Sequence, residues 1–424
     1  MSTALNTDRY ELTMLQAALQ SGKAARQCVF EVFTRQLPAG RRYGVVAGTG
    51  RVLDAIQNFR FDEKELEYLS ANSVVDAETL AWLANYKFSG NVSGYREGEL
   101  YFGHSPILTV EGSFAESVIL ETVILSILNY DSAVASAAAR MKSVAAGRRL
   151  IEMGSRRAHE AAAVAAARAA YVAGFDATSN LAAGAEYGIE TTGTSAHAFT
   201  LLHDNEEQAF KAQIASMGTE TTLLVDTYDV KNAVETAVRL TDGKIRAVRL
   251  DSGDLATSAV EVRKQLDELG ARQTKITVTS DLDEYTIAAL AIAPIDSYGV
   301  GTSLVTGSGF PTAGFVYKLV AHSDNGDWVD VAKTSKLKTN RGGKKYASRV
   351  VENGVAKFEQ ISSEPQAGRA LQVPFITNGN IATQYLGVQG TALAREHHKM
   401  AISELPAGAL RLSRGEPAIP VEFI

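Results

Sequence analysis

The middle of the chain, residues 148–302, alternates short apolar runs with longer amphipathic stretches. The short runs predict strands at RLIEM, GIETTG, TTLLVDT, IRAVRLDS, KITVTSD and DSYGVG. The longer stretches predict helices at DNEEQAFKAQIASMG, DVKNAVETAVRLTDG, ATSAVEVRKQLDELG and DEYTIAALAIA. Repeated strand–helix units of about thirty residues are typical of parallel βαβ crossovers. Because no unit carries a GxGxxG turn, the pattern favours a complete or partial barrel over an open nucleotide-binding sheet.

Small and polar residues mark the ends of these predicted helices. Asp204 and Asp283 stand where N-caps belong, since their side chains can accept bonds from free backbone N–H groups. Gly218, Gly243 and Gly270 stand where glycine commonly closes a helix. The caps therefore support the helix boundaries that the periodicity predicts.

The flanking segments read as a second mixed α/β region. CVFEVFTRQLP and YGVVAG predict strands, GTGRVLDAIQNF a helix, and residues 90–111 several short strands. Apolar, Ala-rich helices follow over about 116–147 and in AHEAAAVAAARAAYVAGF. The last hundred residues return to β-like segments without a long linker. We expect an N-terminal α/β domain over 1–125 that is completed by a returning segment, 310–424, and a barrel-like domain over 126–309.

Composition limits the classes of partner. The chain has 424 residues, of which 46% are hydrophobic and 21% charged, as in a globular protein with more than one core. A net charge of −6 argues against a nucleic-acid binder, and the single Cys28 excludes a disulfide framework and a Cys-rich zinc site. The N-terminus is polar, and VILETVILSILNY is interrupted by Glu121 and Asn129. We therefore expect a cytoplasmic protein that binds no membrane.

Polar residues cluster where the predicted strands end. The endings comprise residues 154–157, 193–197, 226–229, 251–254, 280–281 and 299–302. In a parallel α/β barrel the active site lies at the carboxyl ends of the strands, because the following loops meet there. One such ending would be an ordinary turn, but six predict a rim that binds an anion and carries out chemistry.

Two of these endings contain groups suited to an anionic substrate. A strand period of two places Arg249 and Asp251 on one face, either as a structural ion pair or as a substrate-binding cation beside a functional carboxylate. Gly299, Gly301 and Thr302 offer backbone N–H groups at a late strand end, a favoured phosphate site, although a plain turn would look similar. The local pattern leaves both alternatives open.

Basic groups and one histidine complete the candidates. Arg156 and Arg157 precede a helix and could bind phosphate or carboxylate, with a solvated surface charge the better interpretation for Arg157. His197 has no partner at metal-ligand spacing, since neither His159 nor His203 is suitably placed. The residues alone leave His197 open between a packed core histidine and a nucleophile or base.

Longer motifs resemble a known family. They are LNTDRYELTMLQAAL, FEVFTRQLPAGRRYGVVAG, ETVILSILNY, EMGSRRAH, GFDATSNLAAG, GTSAHAF, VRLDSGDL and YGVGTSLVTG. They occur in the order found in nicotinate phosphoribosyltransferases, from about residue 5 to the basic run near 345. The resemblance implies an irregular (β/α) barrel-like domain packed against a second α/β domain formed by both chain ends.

The resemblance also implies a reaction. The family makes nicotinate mononucleotide and pyrophosphate from nicotinate and phosphoribosyl pyrophosphate, in NAD salvage. ATP hydrolysis is coupled to this synthesis through a transient phosphohistidine, and Mg²⁺ accompanies phosphoribosyl pyrophosphate and ATP. A homodimer with shared active sites is the expected assembly.

Residue roles follow from the same resemblance. His197 matches the phosphorylated histidine, and Arg249 and Asp251 match the pair that lines the pyridine and ribose region. Arg156 matches the arginine that contacts the anionic groups of the substrate. The metal ligands stay unassigned.

Other matches concern the phosphate and the partner subunit. Asp8 and Tyr10 match residues donated across the dimer, with Tyr10 placed to stack on the pyridine ring. The loop that holds the 5′-phosphate, and a further matching loop, correspond to Gly299, Gly301 and Thr302, and to Ser280 and Asp281.

One position bears on substrate specificity, and the chain departs from the family pattern in two places. Related nicotinamide enzymes have an acidic residue where this chain has Ser179, whose hydroxyl can instead donate to the carboxylate of nicotinate. Met153 stands where relatives often have Phe, so a two-sided aromatic sandwich is not implied. The basic run has Gly342 and Gly343 where relatives often have Pro-Gly, which leaves its contact with polyphosphate open.

Alternative functions stay in view. Nicotinamide or quinolinate phosphoribosyl transfer is the nearest, although quinolinate should require more cationic groups for its two carboxylates. A barrel aldolase or lyase would want a Schiff-base Lys at a strand end, and the six endings contain none. A non-catalytic phosphometabolite-binding barrel would have little reason to keep His197 with Arg249 and Asp251.

Overall fold

A computed structural model describes residues 2–335, 338–339 and 341–424 of the chain. It divides into two compact units. The first comprises Met1–Ser136 with Phe310–Ile424, and the second comprises Ala137–Gly309. The functional candidates of the central region all belong to the second unit, so each unit is described by itself.

The N-terminal part of the first unit mixes strands and helices as expected. Its strands are β1 Gln27–Thr34, β2 Gly44–Val45, β3 Asn91–Tyr95, β4 Leu100–Tyr101 and β5 Leu108–Ser113. Its helices are a 3-10 turn Ala4–Asn6, α1 Arg9–Gln20, α2 Thr49–Gln57, α3 Glu63–Ala71, α4 Ala77–Leu83, α5 Phe114–Val118 and α6 Glu121–Val144, the last of which continues into the second unit.

The second unit contains the parallel strands. They are β6 Arg149–Glu152, β7 Ala177–Thr178, β8 Thr222–Leu224, β9 Ala247–Leu250, β10 Lys275–Val278 and β11 Ser297–Val300. The helices between and after them are a 3-10 turn Ser155–Arg157, α7 Glu160–Val172, α8 Leu181–Tyr187, α9 His197–Leu202, α10 Glu206–Met217, α11 Val230–Thr241, α12 Leu255–Glu268, α13 Glu284–Leu290 and α14 Thr302–Val305.

The C-terminal part returns to the first unit. Its strands are β12 Phe315–Asp324, β13 Asp327–Asp330, β14 Thr334–Ser335, β15 Lys338–Thr339, β16 Tyr346–Glu352, β17 Val355–Ser362, β18 Arg369–Ala370, β19 Gln372–Thr377, β20 Asn380–Ile381 and β21 Val421–Phe423. Its helices are α15 Gly387–Ser403 and the 3-10 turns Thr383–Tyr385 and Ala407–Leu410.

Both chain ends contribute to one sheet of the first unit. The seven strands are arranged in the order β13-β12-β1-β5-β3-β19-β20. In the antiparallel ladders around β1, Phe30 lies opposite Val110 on one side and Leu319 on the other. The C-terminal strands are therefore integral to the core of this unit, because β1 has hydrogen-bonded neighbours from both ends of the chain.

The sheet of the second unit is wholly parallel and follows the order β7-β6-β11-β10-β9-β8. The edge strands are β7 and β8, so the six strands form a curled half-barrel. The predicted fold class, α/β with an irregular barrel-like domain, is confirmed. The predicted helices are present as α7, α10, α11, α12 and α13, whereas α8, α9 and α14 were not predicted. Because all six strands are parallel, their carboxyl ends lie at the same edge.

Two local predictions were wrong. GIETTG forms no strand; only Thr191 makes an isolated bridge, to Thr178 in β7. The segment has one buried apolar residue, Ile189, and lacks the alternation that a ladder requires. Asn205 rather than Asp204 caps α10, and it accepts a bond from the backbone N–H of Gln208.

The remaining cap predictions fit the helix ends. Asp283 caps α13 and accepts a bond from the backbone N–H of Thr286. Gly218 closes α10, while Gly243 and Gly270 lie one residue beyond the caps of α11 and α12 with φ of 73° and 79°. A positive φ is the conformation for which glycine is best suited.

Helix α15 is a correction to the expected β-like C-terminal segment. Its buried positions are Gly390, Thr391, Ala394, His398 and Ala401, which follow a helical repeat. Small residues dominate this stripe, so its hydrophobic signal is weak. The segment was therefore not recognised as a helix from its apolar pattern.

One stretch is long and apolar enough to cross a membrane, judged by length and composition alone. It is Phe114–Val144, which comprises α5, α6 and the two residues between them. It is longer than the interrupted run seen in the sequence, because Ala-rich residues extend it. The share of its most apolar window that is buried within the structure is 61%, as in the core helix of a folded protein. The observation is therefore weak evidence for a membrane span.

A buried charge network joins strands from the two parts of the first unit. Arg349 on β16 binds Glu99 and Glu359, and all three side chains are almost fully buried. Arg369 and His397 also bind Glu99. Burial alone would raise the pKa of Glu99, but these three partners hold it well below its usual range. The carboxylate is thus ionised and matched by donors.

Replacing Arg349 should therefore cost far more than removing a surface charge. Arg349→Met leaves two buried carboxylates without their shared cation, and we expect the free energy of unfolding to fall by about 3–5 kcal/mol. The control Lys264→Met, whose partner Glu268 is exposed, should change it by less than about 1 kcal/mol. Urea denaturation measures both, and equal effects would contradict the assigned role of the network.

Candidate active site

The candidate site is built on the carboxyl edge of the parallel sheet. Each of β6, β9, β10 and β11 ends here, and its loop continues with a short polar segment. Val248 and Leu250 of β9 are fully buried, whereas Arg249 and Asp251 are only partly buried. The period-two prediction therefore correctly separated the core face from the face that carries charge.

Asp226, just beyond β8, ties two neighbouring loops together. Its Oδ2 accepts hydrogen bonds from the backbone N–H of Asp251 and the hydroxyl of Ser252, both at 2.8 Å. Its side chain is only 5% exposed, and within the described part of the chain its Oδ1 is buried without a hydrogen-bond partner. Oδ2 of Asp226 therefore holds the loop after β9 in place, while Oδ1 is available to a further hydrogen-bond donor.

His197 is the first residue of α9 and faces these carboxylates. Its Nε2 lies 3.9 Å from Asp226 Oδ1 and 3.8 Å from Asp251 Oδ2. Its Nδ1 lies 3.1 Å from Thr227 Oγ1, within hydrogen-bond distance. The side chain is 40% exposed, which is unlike a packed core histidine. Nδ1 of His197 is therefore occupied by the hydroxyl of Thr227, whereas Nε2 is accessible and lies between the two carboxylates.

Arg249 and Asp251 are each held by a threonine hydroxyl. Arg249 Nη1 donates to Thr194 Oγ1 at 2.7 Å, and the hydroxyl of Thr279 donates to Asp251 Oδ1. Burial lowers the pKa of Arg249; the nearby Asp251 and Asp226 raise it, and Arg156 lowers it. An arginine still carries its charge under such conditions. The two charges lie near each other, oriented by neutral hydroxyls.

The loops after β6 and β7 are organised by Glu152. This buried carboxylate accepts hydrogen bonds from the backbone N–H of Gly154 and the hydroxyl of Thr178. Burial raises its pKa, and these bonds lower it. The backbone N–H of Ser179 donates to the carbonyl of Glu152 at 2.9 Å. The position of Ser179 is therefore fixed from the end of the neighbouring strand, while its side chain is exposed.

Gly299 on β11 is needed for close packing. A Cβ at this position would lie 2.6 Å from Thr279 Cγ2 and 2.7 Å from Met153 Sδ. Met153, two residues before the 3-10 turn that carries Arg156, therefore lies against the bare backbone of the strand. Gly301 then caps α14, whose first residue is Thr302.

The remaining predicted residues lie at more exposed positions. Arg156, on the 3-10 turn, is exposed. Ser280 and Asp281, which follow β10, are exposed as well. Asp8 and Tyr10 belong to the first unit, where Asp8 precedes α1 and Tyr10 is 46% exposed. The structure thus brings His197, Arg249 and Asp251 together. The other candidates of the second unit lie at or after the ends of other strands, at the same edge of the sheet.

Several residues that shape this edge were not assigned from the sequence. Asp226 and Thr227 lie in one of the polar strand endings, so the signal was present without a role. Thr279 continues the inward face of β10, which period two could have indicated. Thr194 also lies in a polar strand ending, but its contact with Arg249 gave no local signal, because that contact joins a loop to a distant strand.

Within the part of the chain that the structure describes, no group of three or more His, Cys, Asp or Glu side chains could hold a metal ion. The metal ligands therefore stay unassigned.

The basic run near residue 345 lies in the first unit. Lys336, Leu337 and Asn340 fall outside the described residues. Lys344 binds Glu111 and Lys345 binds Glu31, so these two cations are already paired. A contact between this run and polyphosphate stays a prediction.

Comparison with known proteins identifies the family. The model of the nicotinate phosphoribosyltransferase N-terminal domain matches residues 5–129, and that of the nicotinate phosphoribosyltransferase family matches residues 148–360. The chain belongs to the nicotinate phosphoribosyltransferase family. The resemblance stated from its motifs is confirmed, and the chain is an enzyme of this type. A barrel lyase and a non-catalytic binding barrel are thereby excluded.

Individual relatives agree. The chain is 52% identical over 435 residues to nicotinate phosphoribosyltransferase pncB1 of Mycobacterium tuberculosis, with 99% of this chain and 95% of that protein covered. It is 38% identical over 361 residues to nicotinate phosphoribosyltransferase of Bacillus subtilis, with 82% and 74% covered.

Solved structures share the fold. Human nicotinic acid phosphoribosyltransferase superposes with a TM-score of 0.84 at 24% identity, covering 98% of this chain and 97% of that one. Nicotinate-nucleotide pyrophosphorylase from Pyrococcus furiosus gives a TM-score of 0.76 at 24% identity, covering 96% and 95%. At this identity the similarity concerns the fold alone.

The packing at Gly299 yields a testable prediction. Gly299→Ala must displace Thr279 or Met153, and we expect a loss of about 1–3 kcal/mol in stability. Turnover should also fall, because the Thr279 hydroxyl orients Asp251. Gly408→Ala is the control, since a Cβ there meets no atom within 4 Å. Urea unfolding and initial rates should both show the difference, and a fully active, stable Gly299→Ala enzyme would contradict it.

Proposed function

We propose that this enzyme forms nicotinate mononucleotide and pyrophosphate from nicotinate and phosphoribosyl pyrophosphate, and that ATP hydrolysis is coupled through phosphorylation of His197. The observation that carries this proposal is the position of His197 Nε2 between Asp226 and Asp251, two carboxylates whose charges also act on Arg249. The names of the relatives at 52% and 38% identity supply the substrate class.

The transfer step requires charge stabilisation on both sides of one carbon. The bond from the ribose anomeric carbon to pyrophosphate breaks, and a bond to the pyridine nitrogen forms. Asp251 is suited to the positive charge that develops on the sugar. Arg249, Arg156 and the backbone N–H groups of the loop at 299–302 are suited to the departing pyrophosphate.

Little proton transfer is needed in this step. The ring nitrogen of nicotinate already carries a lone pair, so no strong general base is required. Orientation of the two reactants should therefore supply much of the rate. The contacts of Thr194, Thr279 and Asp226 would support this orientation. Thr194 and Thr279 fix the side chains of Arg249 and Asp251, and Asp226 fixes the backbone of Asp251.

The coupling step uses the accessible nitrogen of His197. Its Nε2 attacks the γ-phosphorus of ATP, the bond to the bridging oxygen breaks, and ADP leaves. The phosphoryl group adds charge of about −2 close to Asp226 and Asp251. Repulsion among these groups favours a rearranged loop until water hydrolyses the phosphohistidine. In this way ATP hydrolysis could alter substrate affinity at the same edge.

Further features belong to the proposal. Mg²⁺ would accompany phosphoribosyl pyrophosphate and ATP. A homodimer with shared sites would use Asp8 and Tyr10 of one subunit to complete the site of the other. The exposed ring of Tyr10 is compatible with such a role. A cytoplasmic location and a place in NAD salvage complete the proposed assignment.

The role of His197 can be tested by substitution. In His197→Ala, ATP should no longer stimulate synthesis, whereas slow synthesis without ATP should persist, because the groups around the anomeric carbon are intact. The measurements are initial rates with and without ATP and transfer of label from γ-labelled ATP to the protein. His322→Ala, in the first unit, should retain both labelling and stimulation. Undiminished ATP stimulation in His197→Ala would contradict the proposal.

Ser179 should control the choice of pyridine. Ser179→Asp places a carboxylate where the carboxylate of nicotinate is expected, so kcat/KM for nicotinate should fall by at least about tenfold relative to that for nicotinamide. Ser179→Ala removes only the donor and should have a smaller effect on this ratio. Competition assays with both pyridines measure it, and an unchanged ratio in Ser179→Asp would show that Ser179 is not near the ring substituent.

A further inference from the structure

Besides Asp226 and Asp251, a further carboxyl group near the site, that of Glu206, has no evident role in the reaction. Glu206 is in the first turn of α10, after its cap Asn205. Within the described part of the chain, its Oε1 is buried and lacks a hydrogen-bond partner. Asp226 Oδ1 is the other buried carboxylate oxygen of the second unit in this condition. Helix α10 packs against α9, which begins at His197, and against α11, which follows Asp226. Two acids of this region therefore have an unsatisfied carboxylate oxygen, and the charge of Asp226 acts on Glu206.

The surroundings of Glu206 are acidic. The titratable and charged groups on α10's first turns and on the elements packed against it are His197, His203, Asp204, Glu207, Lys211, Asp226, Asp229, Lys231, Glu235 and Arg239. Lys211 and Arg239 bind Glu207, the next residue. Burial first, then Asp229 and Asp226, raises the pKa of Glu206 to about 7. No cation among the described residues offsets these effects.

Other buried acids of this unit are satisfied differently. Glu152 accepts hydrogen bonds from a backbone N–H and a hydroxyl, and Glu284 binds Arg140 and the hydroxyl of Ser308. An ionised carboxylate without donors is costly to bury, whereas a neutral carboxylic acid carries its own donor. The position of Glu206 is therefore suited to the protonated form.

We propose that Glu206 is a positioning residue, a neutral carboxylic acid next to Asp226 whose ionisation weakens the coupling of ATP hydrolysis to synthesis. This inference rests on the proposed phosphorylation of His197. Once ionised, Glu206 would add a negative charge that acts on Asp226, the residue that faces His197 Nε2. Adding a phosphoryl group to His197 would then meet stronger repulsion. Synthesis without ATP should be much less affected.

The first test compares pH profiles of Glu206→Gln, which stays neutral, with those of the unaltered enzyme. From pH 6 to pH 8 the neutral fraction of an acid with a pKa of about 7 falls about tenfold. ATP stimulation of the unaltered enzyme should therefore fall across this range relative to that of Glu206→Gln, because any other titrating group affects both enzymes alike. Glu186→Gln, at an exposed position on α8, should keep the profile of the unaltered enzyme.

The second test needs no turnover. A raised pKa in the folded state means that the contribution of Glu206 to stability is present at low pH and is lost as pH rises through about 7. The melting temperature of Glu206→Gln, relative to the unaltered enzyme, should therefore rise between pH 5 and pH 8. Glu186→Gln should show no such trend.

The outcomes separate the two proposals. If the unaltered enzyme shows no ATP stimulation at any pH, the proposed coupling itself is wrong, and this inference fails with it. If stimulation occurs but has the same pH profile in Glu206→Gln, or if the melting-temperature difference does not change with pH, only the role of Glu206 is overturned.

Discussion

The common direction of the six strands in the second unit is the constraint on which the site depends. Parallel pairing places all carboxyl ends at one edge, and the loop after each strand then contributes its polar residues to the same region. Asp226 strengthens this arrangement by accepting bonds from the loop that follows β9. A group at the end of one strand thus sets the backbone of the next.

The charges at this edge are oriented by neutral hydroxyls. Thr194 holds Arg249, Thr279 holds Asp251, and Thr227 lies at Nδ1 of His197. A hydroxyl fixes a side chain without cancelling its charge, so the guanidinium and carboxylate keep their capacity to bind ionic groups of substrates. A direct structural ion pair, the alternative drawn from the sequence, would have used much of that capacity.

Much of this edge could be predicted from local patterns. Period-two burial identified β9 and its charged face, and the polar strand endings located the site. The failures have physical reasons. Strand β7 was not predicted because it is only two residues long, GIETTG has one buried apolar residue, and α15 buries small residues. Contacts such as that of Thr194 with Arg249 join a loop to a distant strand, so no local pattern encodes them. The role of His197 came only from the resemblance and stays a proposal.

Product analysis tests the central claim most directly. The purified enzyme should be supplied with phosphoribosyl pyrophosphate and Mg²⁺ together with nicotinate, nicotinamide or quinolinate, each with and without ATP, and the nucleotides identified by mass spectrometry. The account predicts nicotinate mononucleotide as the main product, formed faster with ATP. Preferential use of nicotinamide or quinolinate, or the absence of any pyridine nucleotide, would contradict it.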